Sequence, residues 1–224
     1  MKNRLFVILG SILIILSIIL YFTGDYLLEQ FIVNNAVNVD VDDEISKKSD
    51  ELIPDYNEDN VESLSAMTIL KYKDEMNRSI AKGRIVIDSI DLNLKIYEGL
   101  NNANLLKGAC EQLPRSEMKM GDVGNYILAA HCSRYDNRFM FTSLRYLKSG
   151  DEIKVSDDKN VYVYKVNFVK KVNRNDTSLI NESTNDKLIT LYTCYDVNHF
   201  YPRYRIVARG TLDRTIERWS KTTI

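Results

Sequence analysis

The stretch "LITLYTCYDV", residues 188–197, predicts a buried β-strand that ends at a single cysteine. Leucine, isoleucine, threonine and tyrosine fill its first six positions, and these residues suit a pleated sheet. The residues that follow Cys194 are typical of a turn. An isolated cysteine is usually a small buried apolar residue. Three roles therefore stay open for Cys194 at this point: packing, half of a disulfide, or a nucleophile.

Further strand patterns surround this one, and together they predict the fold class. Apolar and polar residues alternate, or apolar residues run together, in "RIVIDSIDLNLKIYEGL" (84–100), "NYILAAHC" (125–132), "DEIKVSD" (151–157), "NVYVYKVNFVKKV" (160–172) and "RYRIVARGTL" (203–212). This density of strands, without long helical patterns between them, favours an all-β domain, either a closed antiparallel barrel or a sandwich.

An apolar stretch near the N-terminus predicts a membrane helix. Residues 5–22 are 18 uncharged residues, which span about 27 Å at ~1.5 Å per residue, close to the thickness of a hydrocarbon core. The following "TGDYLLEQF" has no small-residue cleavage site, which favours an uncleaved anchor over a signal peptide. Lys2 and Arg4 precede the stretch and acidic residues follow it, so we expect a cytoplasmic N-terminus and an extracellular domain.

Between the anchor and the strands the composition becomes polar and acidic. Residues 34–62 predict a spacer, either a solvated stalk or a loosely packed helix. Residues 63–83 place Leu64, Met67 and Leu70 on one helical face and end at Gly83, which predicts a helix packed on the domain. The predicted units are a cytoplasmic tip and anchor (1–25), an acidic stalk and helix (26–82), the β-domain (83–215) and a C-terminal tail (216–224).

Overall composition narrows the possible functions. The chain is 45% hydrophobic and 27% charged, which is typical of a globular protein. Its formal net charge of −1 argues against nucleic acid as a partner, because nucleic-acid-binding domains present a basic field. Its three cysteines cannot all pair within one chain, so at least one thiol needs another explanation.

Two other residues could act chemically with Cys194. His131 ends an apolar strand as Cys194 does, and a histidine beside a thiol can promote the thiolate and return a proton to a leaving amine. A hydrogen-bonded structural histidine is the ordinary alternative. Arg205, 11 residues beyond the cysteine, opens the next strand and could face the thiol as an oxyanion partner. Arg203 has the same strand parity and is its rival.

At these residues the chain resembles the sortases, membrane-anchored cysteine transpeptidases of Gram-positive bacteria. The resemblance covers residues 83–215, and its motifs are "TLYTC" ending at Cys194, "LAAHC" around His131, "FTSLRYLKSGDEI" downstream, and "RIVARG" from Arg205. It implies the sortase-type eight-stranded β-barrel with short helices. It also implies that Cys194 is the nucleophile, His131 the general acid and Arg205 the oxyanion or substrate-positioning residue.

What the resemblance implies about function is specific. Sortases cut a sorting signal of the Leu-Pro-x-Thr-Gly type between Thr and Gly, hold the threonine as a thioester, and pass it to an amine. The implied partners are secreted proteins with a C-terminal sorting signal and a lipid II-type cell-wall precursor amine. The implied location is the cell membrane, with a single pass and an extracellular catalytic domain. No cofactor is implied, and "SEMKMGDVGN" (116–125) lacks the acidic cluster of calcium-dependent members, so no metal is expected.

Four more residues would bind substrate by the same resemblance. Leu179 and Ile180 lie in the loop 173–187, where sortases grip the signal, although they could equally be core residues beneath a loop. Ala130 and Thr193 directly precede the histidine and the cysteine and would line the groove by position. The spacing between "AAH" and "FTSL" most resembles class A sortases, and class D next.

Two other functions stay open beside the transpeptidase. A thiol peptidase would use the same site, but water would hydrolyse its acyl-enzyme. A non-catalytic, membrane-tethered β-domain would be a binding module in which Cys110 and Cys132 form a disulfide and Cys194 is buried filler.

Overall fold

Eight strands close into one barrel in the computed structural model, which describes residues 2–37, 51–133, 136–180, 184–195 and 202–218. The strands are β1 (Ala81–Ile87), β2 (Leu92–Glu98), β3 (Ala109–Glu111), β4 (Gly124–Ala129), β5 (Glu152–Ser156), β6 (Asn160–Asn173), β7 (Lys187–Cys194) and β8 (Tyr204–Glu217). The helices are α1 (Lys2–Val37), α2 (Ala66–Tyr72) and α3 (Asn102–Leu105), with 3₁₀-helical turns at Glu58–Asn60, Glu75–Arg78, Asp88–Ile90 and Met140–Tyr146. The predicted eight-stranded barrel with short helices is therefore confirmed.

The strands run around the barrel in the order β1-β2-β3-β4-β7-β8-β6-β5, and β5 closes on β1. Two contacts are parallel, β2 with β3 and β4 with β7, so the expectation of a purely antiparallel barrel is wrong there. Between β4 and β7 the chain crosses over through β5 and β6, and a parallel contact requires such a long connection. This crossover brings the end of β4 beside the end of β7.

Strand β7 is buried on both faces, which explains why its apolar residues are not confined to alternate positions. Ile189 and Leu191 belong to the cluster of buried residues inside the barrel. Tyr192 belongs to a second cluster on the other face, where it packs with Ile127 and Val207. The prediction of a buried strand ending at the cysteine is confirmed, because β7 is buried from Leu188 to Thr193 and Cys194 is half-buried.

The segment before the barrel differs from the predicted single helix over 63–83. The structure has the short helix α2 and then a 3₁₀-helical turn, and Gly83 lies inside β1 rather than at a helix end. A side chain at Gly83 would collide with the backbone carbonyl of Ser156 on β5. The glycine is therefore needed for close strand approach, and the sequence pattern mistook it for a helix stop.

The described part of the predicted spacer is packed on the barrel rather than solvated. Asn101 donates to the carbonyl of Ile53 at 2.9 Å and accepts from the backbone of Asp55 at 3.0 Å. The side chain of Asn102 accepts from the backbone of Glu62 at 2.8 Å. The rest of the spacer, residues 38–50, lies outside the described residues.

The N-terminal apolar helix matches the predicted anchor. Within α1 the 19 residues Phe6–Gly24 are long and apolar enough to cross a membrane, and none of them is buried against the rest of the chain. The helix fits a single-pass membrane anchor. Of the predicted C-terminal tail, residues 216 and 217 belong to β8 and residues 219–224 lie outside the described residues.

Candidate active site

The register of the two strands β7 and β8 sets Cys194 opposite Arg205. These strands are antiparallel, and Cys194 and Arg205 are the last pair in their register. Directly opposed residues of neighbouring strands project on the same face of the sheet. The ladder continues one step further, where the backbone of Tyr195 donates to the carbonyl of Tyr204 at 2.9 Å. The thiol and the guanidinium therefore share one face at one end of the barrel.

His131 lies at the same end because the chain after β4 is bonded to the end of β7. The hydroxyl of Thr193 donates to the carbonyl of Ala130 at 2.7 Å. The thiol of Cys132 donates to the carbonyl of Cys194 at 2.7 Å. His131 thus sits between two residues that are each tied to the strand carrying the cysteine. These bonds hold the segment that carries His131 at the strand end that carries Cys194 and Arg205, and they join residues that lie far apart in the chain.

A carboxylate that sequence reasoning missed completes the surroundings of Arg205. Glu58 accepts from Arg205 with both oxygens, Nη2 to Oε2 at 2.5 Å and Nη1 to Oε1 at 3.4 Å. Its Oε1 also accepts from the hydroxyl of Tyr192 at 2.8 Å and from Nε2 of Gln112 at 2.7 Å. Glu58 lies in the acidic segment assigned to the spacer, and no local pattern separates it from its neighbours.

The thiol of Cys194 is protonated at neutral pH. Burial raises the pKa of this thiol, and the positive charges of Arg205 and Arg174 lower it by a smaller amount. The negative charge of Glu58 raises it again, so the pKa stays above its ordinary value. A thiol in this state needs a base, or a substrate-induced change, before it can act as a nucleophile.

The imidazole of His131 is neutral at the same pH. Burial lowers its pKa to about 4. The residue as a whole is half-buried, but its Nε2 is enclosed and has no hydrogen-bond partner among the residues that the structure describes. A neutral ring can accept the proton of a neighbouring thiol, and the imidazolium it becomes is a strong acid.

The buried neutral His131 is expected to make the stability of the fold depend on pH. Its pKa is near 6.5 in an unfolded chain and about 4 in the folded protein. Because the unfolded state binds the proton first, stability is complete above about pH 6.5 and is lost as the pH falls toward 4. We expect the free energy of unfolding to fall by on the order of 2 kcal/mol through this group.

Urea unfolding at a series of pH values between about 7 and 4.5 measures this loss. The matched control is His131→Asn, which cannot titrate there and should show a smaller decrease. The same decrease in both proteins would assign the pH dependence to other groups.

The predicted substrate-binding residues are packed in the structure. Ala130 and Thr193 are buried, and each is bonded to the other as described above. Leu179 and Ile180 are half-buried and pack against the second apolar cluster. The carbonyl of Leu179 accepts from Asn125 at 3.0 Å, which ties this loop to β4. A part in substrate binding stays a prediction for all four.

The structure also distinguishes the other two cysteines and Arg203 from the residues of the candidate site. All three cysteines are free thiols, so the prediction of a disulfide between Cys110 and Cys132, which belonged to the binding-module hypothesis, is wrong. Cys110 is completely buried in β3, and Cys132 is bonded to the backbone of Cys194. Arg203, the rival of Arg205, is exposed and precedes β8.

Comparisons with known proteins agree with this geometry. The family model described as "Sortase domain" matches residues 85–213. Sortase A of Listeria monocytogenes serovar 1/2a is 32% identical over 199 residues, which are 89% of this chain and 82% of that protein. Sortase A of Streptococcus agalactiae serotype III is 28% identical over 165 residues, 72% of this chain and 65% of that protein.

A solved structure of Listeria monocytogenes sortase A is similar with a TM-score of 0.57 and 37% identity. The match covers 63% of this chain and 92% of that chain.

Proposed function

The chain belongs to the sortase family of transpeptidases, and from that premise we propose that it cleaves an LPXTG-like signal through a thioester on Cys194. The observation that carries the proposal is the register that sets Cys194 opposite Arg205, with the His131 segment bonded to the same strand end. A thiol, a neutral imidazole and a fixed cation are the groups that acyl transfer through a thioester requires.

In the first step the sulfur of Cys194 attacks the carbonyl carbon of the signal's threonine. The proton of the thiol passes to His131, and the negative charge that develops on the carbonyl oxygen is stabilised by Arg205. The carbon–nitrogen bond to glycine then breaks. The leaving amine takes the proton back from His131, and the threonine remains as a thioester.

In the second step an acceptor amine attacks the thioester. His131 takes a proton from the attacking nitrogen and gives it to the sulfur of Cys194 as the carbon–sulfur bond breaks, so both residues return to their starting states. The product carries an amide in place of the original peptide bond, so no net redox change or cofactor is involved. We propose a lipid II-type precursor as the acceptor and secreted proteins with a C-terminal sorting signal as the donors.

The proposed location follows from α1. An uncleaved anchor with Lys2 and Arg4 at its cytoplasmic end leaves the barrel outside the cell, where secreted substrates emerge. The similarity to two sortase A proteins supports a class A-like assignment within the family.

The experiment that tests the proposal uses the full chain in detergent micelles. A peptide library with the pattern Leu-Pro-x-Thr-Gly is offered with triglycine or with a diaminopimelate mimic, and the products are separated by mass. We expect an amide product ending in threonine linked to the added amine, together with a trapped thioester on the protein. Free acid as the sole product with either amine would favour the thiol peptidase instead. Absence of cleavage across the library would refute the proposed substrate.

Arg205→Ala should lower kcat/KM by about a hundredfold or more while the fold is retained, because an oxyanion donor acts mainly in the transition state. Arg205→Lys should recover only part of the loss, since one ammonium cannot reproduce a planar fork of donors. Steady-state cleavage of a fluorogenic peptide measures both. The matched control is Arg203→Ala, which removes the same charge from an exposed position nearby. A deeper loss from Arg203→Ala than from Arg205→Ala contradicts the assignment.

A further inference from the structure

Resting on the proposed function, we infer that Glu58 is a positioning residue, which fixes the guanidinium of Arg205 at the substrate carbonyl. Glu58 lies 147 residues before Arg205 in the chain, yet both of its carboxylate oxygens accept from that guanidinium. Bidentate pairs of this kind fix the orientation of an arginine as well as its position.

The carboxylate orients the guanidinium without using all of its donors. Arginine has five N–H groups, and Glu58 engages one each on Nη1 and Nη2. The other three N–H groups have no hydrogen-bond partner among the residues that the structure describes, so they can serve a substrate carbonyl. The side chain of Arg205 keeps 14% of its surface exposed, so a substrate can reach it from the open side.

The ring of Tyr192 is a second group that contacts the guanidinium of Arg205. The Cζ atom of Arg205 lies 5.0 Å from the centroid of this ring, within the range of a cation–π contact. The hydroxyl of the same tyrosine donates to Glu58. Arg205, Glu58 and Tyr192 thus form a closed set of mutual contacts, and Gln112 contributes a fourth hydrogen bond to it.

Glu58 is itself held on both sides by the backbone of its segment. Before it, the backbone of Asp55 donates to Asn101 at 3.0 Å, and the backbone of Leu100 donates to Asp55 at 2.5 Å. After it, Glu62 is bonded through its backbone to Asn102. Hydrogen bonds to Asn101 and Asn102 therefore fix the segment on both sides of Glu58. A carboxylate held in this way restricts the motion of the arginine that it binds.

The charge of Glu58 also reaches the thiol. Three charged groups act on Cys194: Arg205 and Arg174 lower the pKa of the thiol, whereas Glu58 raises it. Burial raises the pKa of Glu58, but the hydrogen bond and charge of Arg205, together with the hydrogen bonds from Tyr192 and Gln112, bring it below its ordinary value, so Glu58 is ionised. Removal of this negative charge should therefore shift the thiol toward easier ionisation.

The test is Glu58→Gln in the full chain, which keeps the side-chain size and removes the charge. We expect kcat for the fluorogenic peptide to fall about tenfold, with KM changed less than about twofold, because the loss is in the transition state. We also expect alkylation of Cys194 by iodoacetamide to shift to lower pH. Glu58→Asp keeps the charge but shortens the reach, so it should lower kcat and leave the alkylation profile near that of wild type.

The control and the double variant make the result decisive. Glu62→Gln removes a carboxylate of the same segment that binds Lys71 and Tyr72 instead, and it should change neither readout. In an Arg205→Ala background Glu58→Gln should have less than about a twofold further effect on kcat, since it acts through the arginine.

Three outcomes would overturn the inference. The first is a tenfold further loss of kcat when Glu58→Gln is added to Arg205→Ala. The second is a rise in kcat in Glu58→Gln, which would mean that Glu58 inhibits the reaction. The third is an alkylation profile of Cys194 that Glu58→Gln leaves unchanged. If the wild-type protein cleaves no LPXTG-like peptide, the proposed function fails. The alkylation shift still decides whether Glu58 is coupled to the site.

Discussion

Cys194→Ala is expected to abolish peptide cleavage and transfer, with residual turnover at least about ten-thousandfold below wild type, because it removes the sulfur that forms the thioester. The fold should be retained, since Cys194 is half-buried at the end of β7 and its backbone pairing with β8 does not depend on the sulfur. The measurement is the formation of amide product, together with mass detection of the acyl-enzyme, which should be absent.

The chain offers two matched controls for this variant. Cys110→Ala removes a completely buried thiol from β3, and Cys132→Ser keeps a donor for the carbonyl of Cys194. Both variants should retain turnover within about tenfold of wild type, because neither removes the nucleophile. If Cys132→Ser lost as much turnover as Cys194→Ala, the assignment of Cys194 as the nucleophile would be overturned.

His131→Ala should lower kcat by about a thousandfold or more, because it removes both the acceptor of the thiol proton and the donor to the leaving amine. The loss should be present at every pH between about 5 and 9, where the wild-type imidazole is neutral, since its pKa is about 4. Steady-state cleavage across this range measures it. The variant should also react with iodoacetamide at Cys194, which shows that the thiol remains accessible.

His199→Ala is the natural comparison, because His199 is the other histidine of the chain, although it lies outside the described residues. We expect only a mild effect from it. Turnover above a tenth of wild type in His131→Ala, or a deep loss in His199→Ala, would show that the wrong histidine was assigned.

Local sequence patterns were sufficient for the parts of the site that lie at strand ends. The pleated pattern of residues 188–193 predicted β7 and its end at Cys194, since β propensity and burial act over neighbouring residues. The apolar run before His131 did the same for β4. A second strand pattern that opens at Arg205, 11 residues after Cys194, predicted a neighbouring strand, and the register of β7 with β8 confirms that Arg205 lies opposite the cysteine.

Local sequence patterns gave wrong predictions of secondary structure or burial where a contact with a distant part of the chain decided the structure. The pattern around Gly83 favours a helix end, because glycine is common there, but the close approach of the neighbouring strand β5 is what requires a glycine. The polar, acidic composition of residues 51–62 favours a solvated segment. Asn101 and Asn102, at the start of α3, instead hydrogen-bond to the backbone of Ile53 and Glu62.

The sequence by itself predicted the apolar N-terminal helix and the strand-rich domain, because each depends on residues close together in the chain. Its resemblance to the sortases then singled out Cys194, His131 and Arg205 as the candidate nucleophile, general acid and oxyanion residue. Only the tertiary structure decided that β4 and β7 lie side by side in parallel and that Glu58 binds Arg205 from 147 positions away. The physical reason is that a carboxylate in a polar segment has no local signature of its partner. Its partner is selected when folding places the half-buried Glu58 beside Arg205, because pairing offsets the cost of removing the two charges from water.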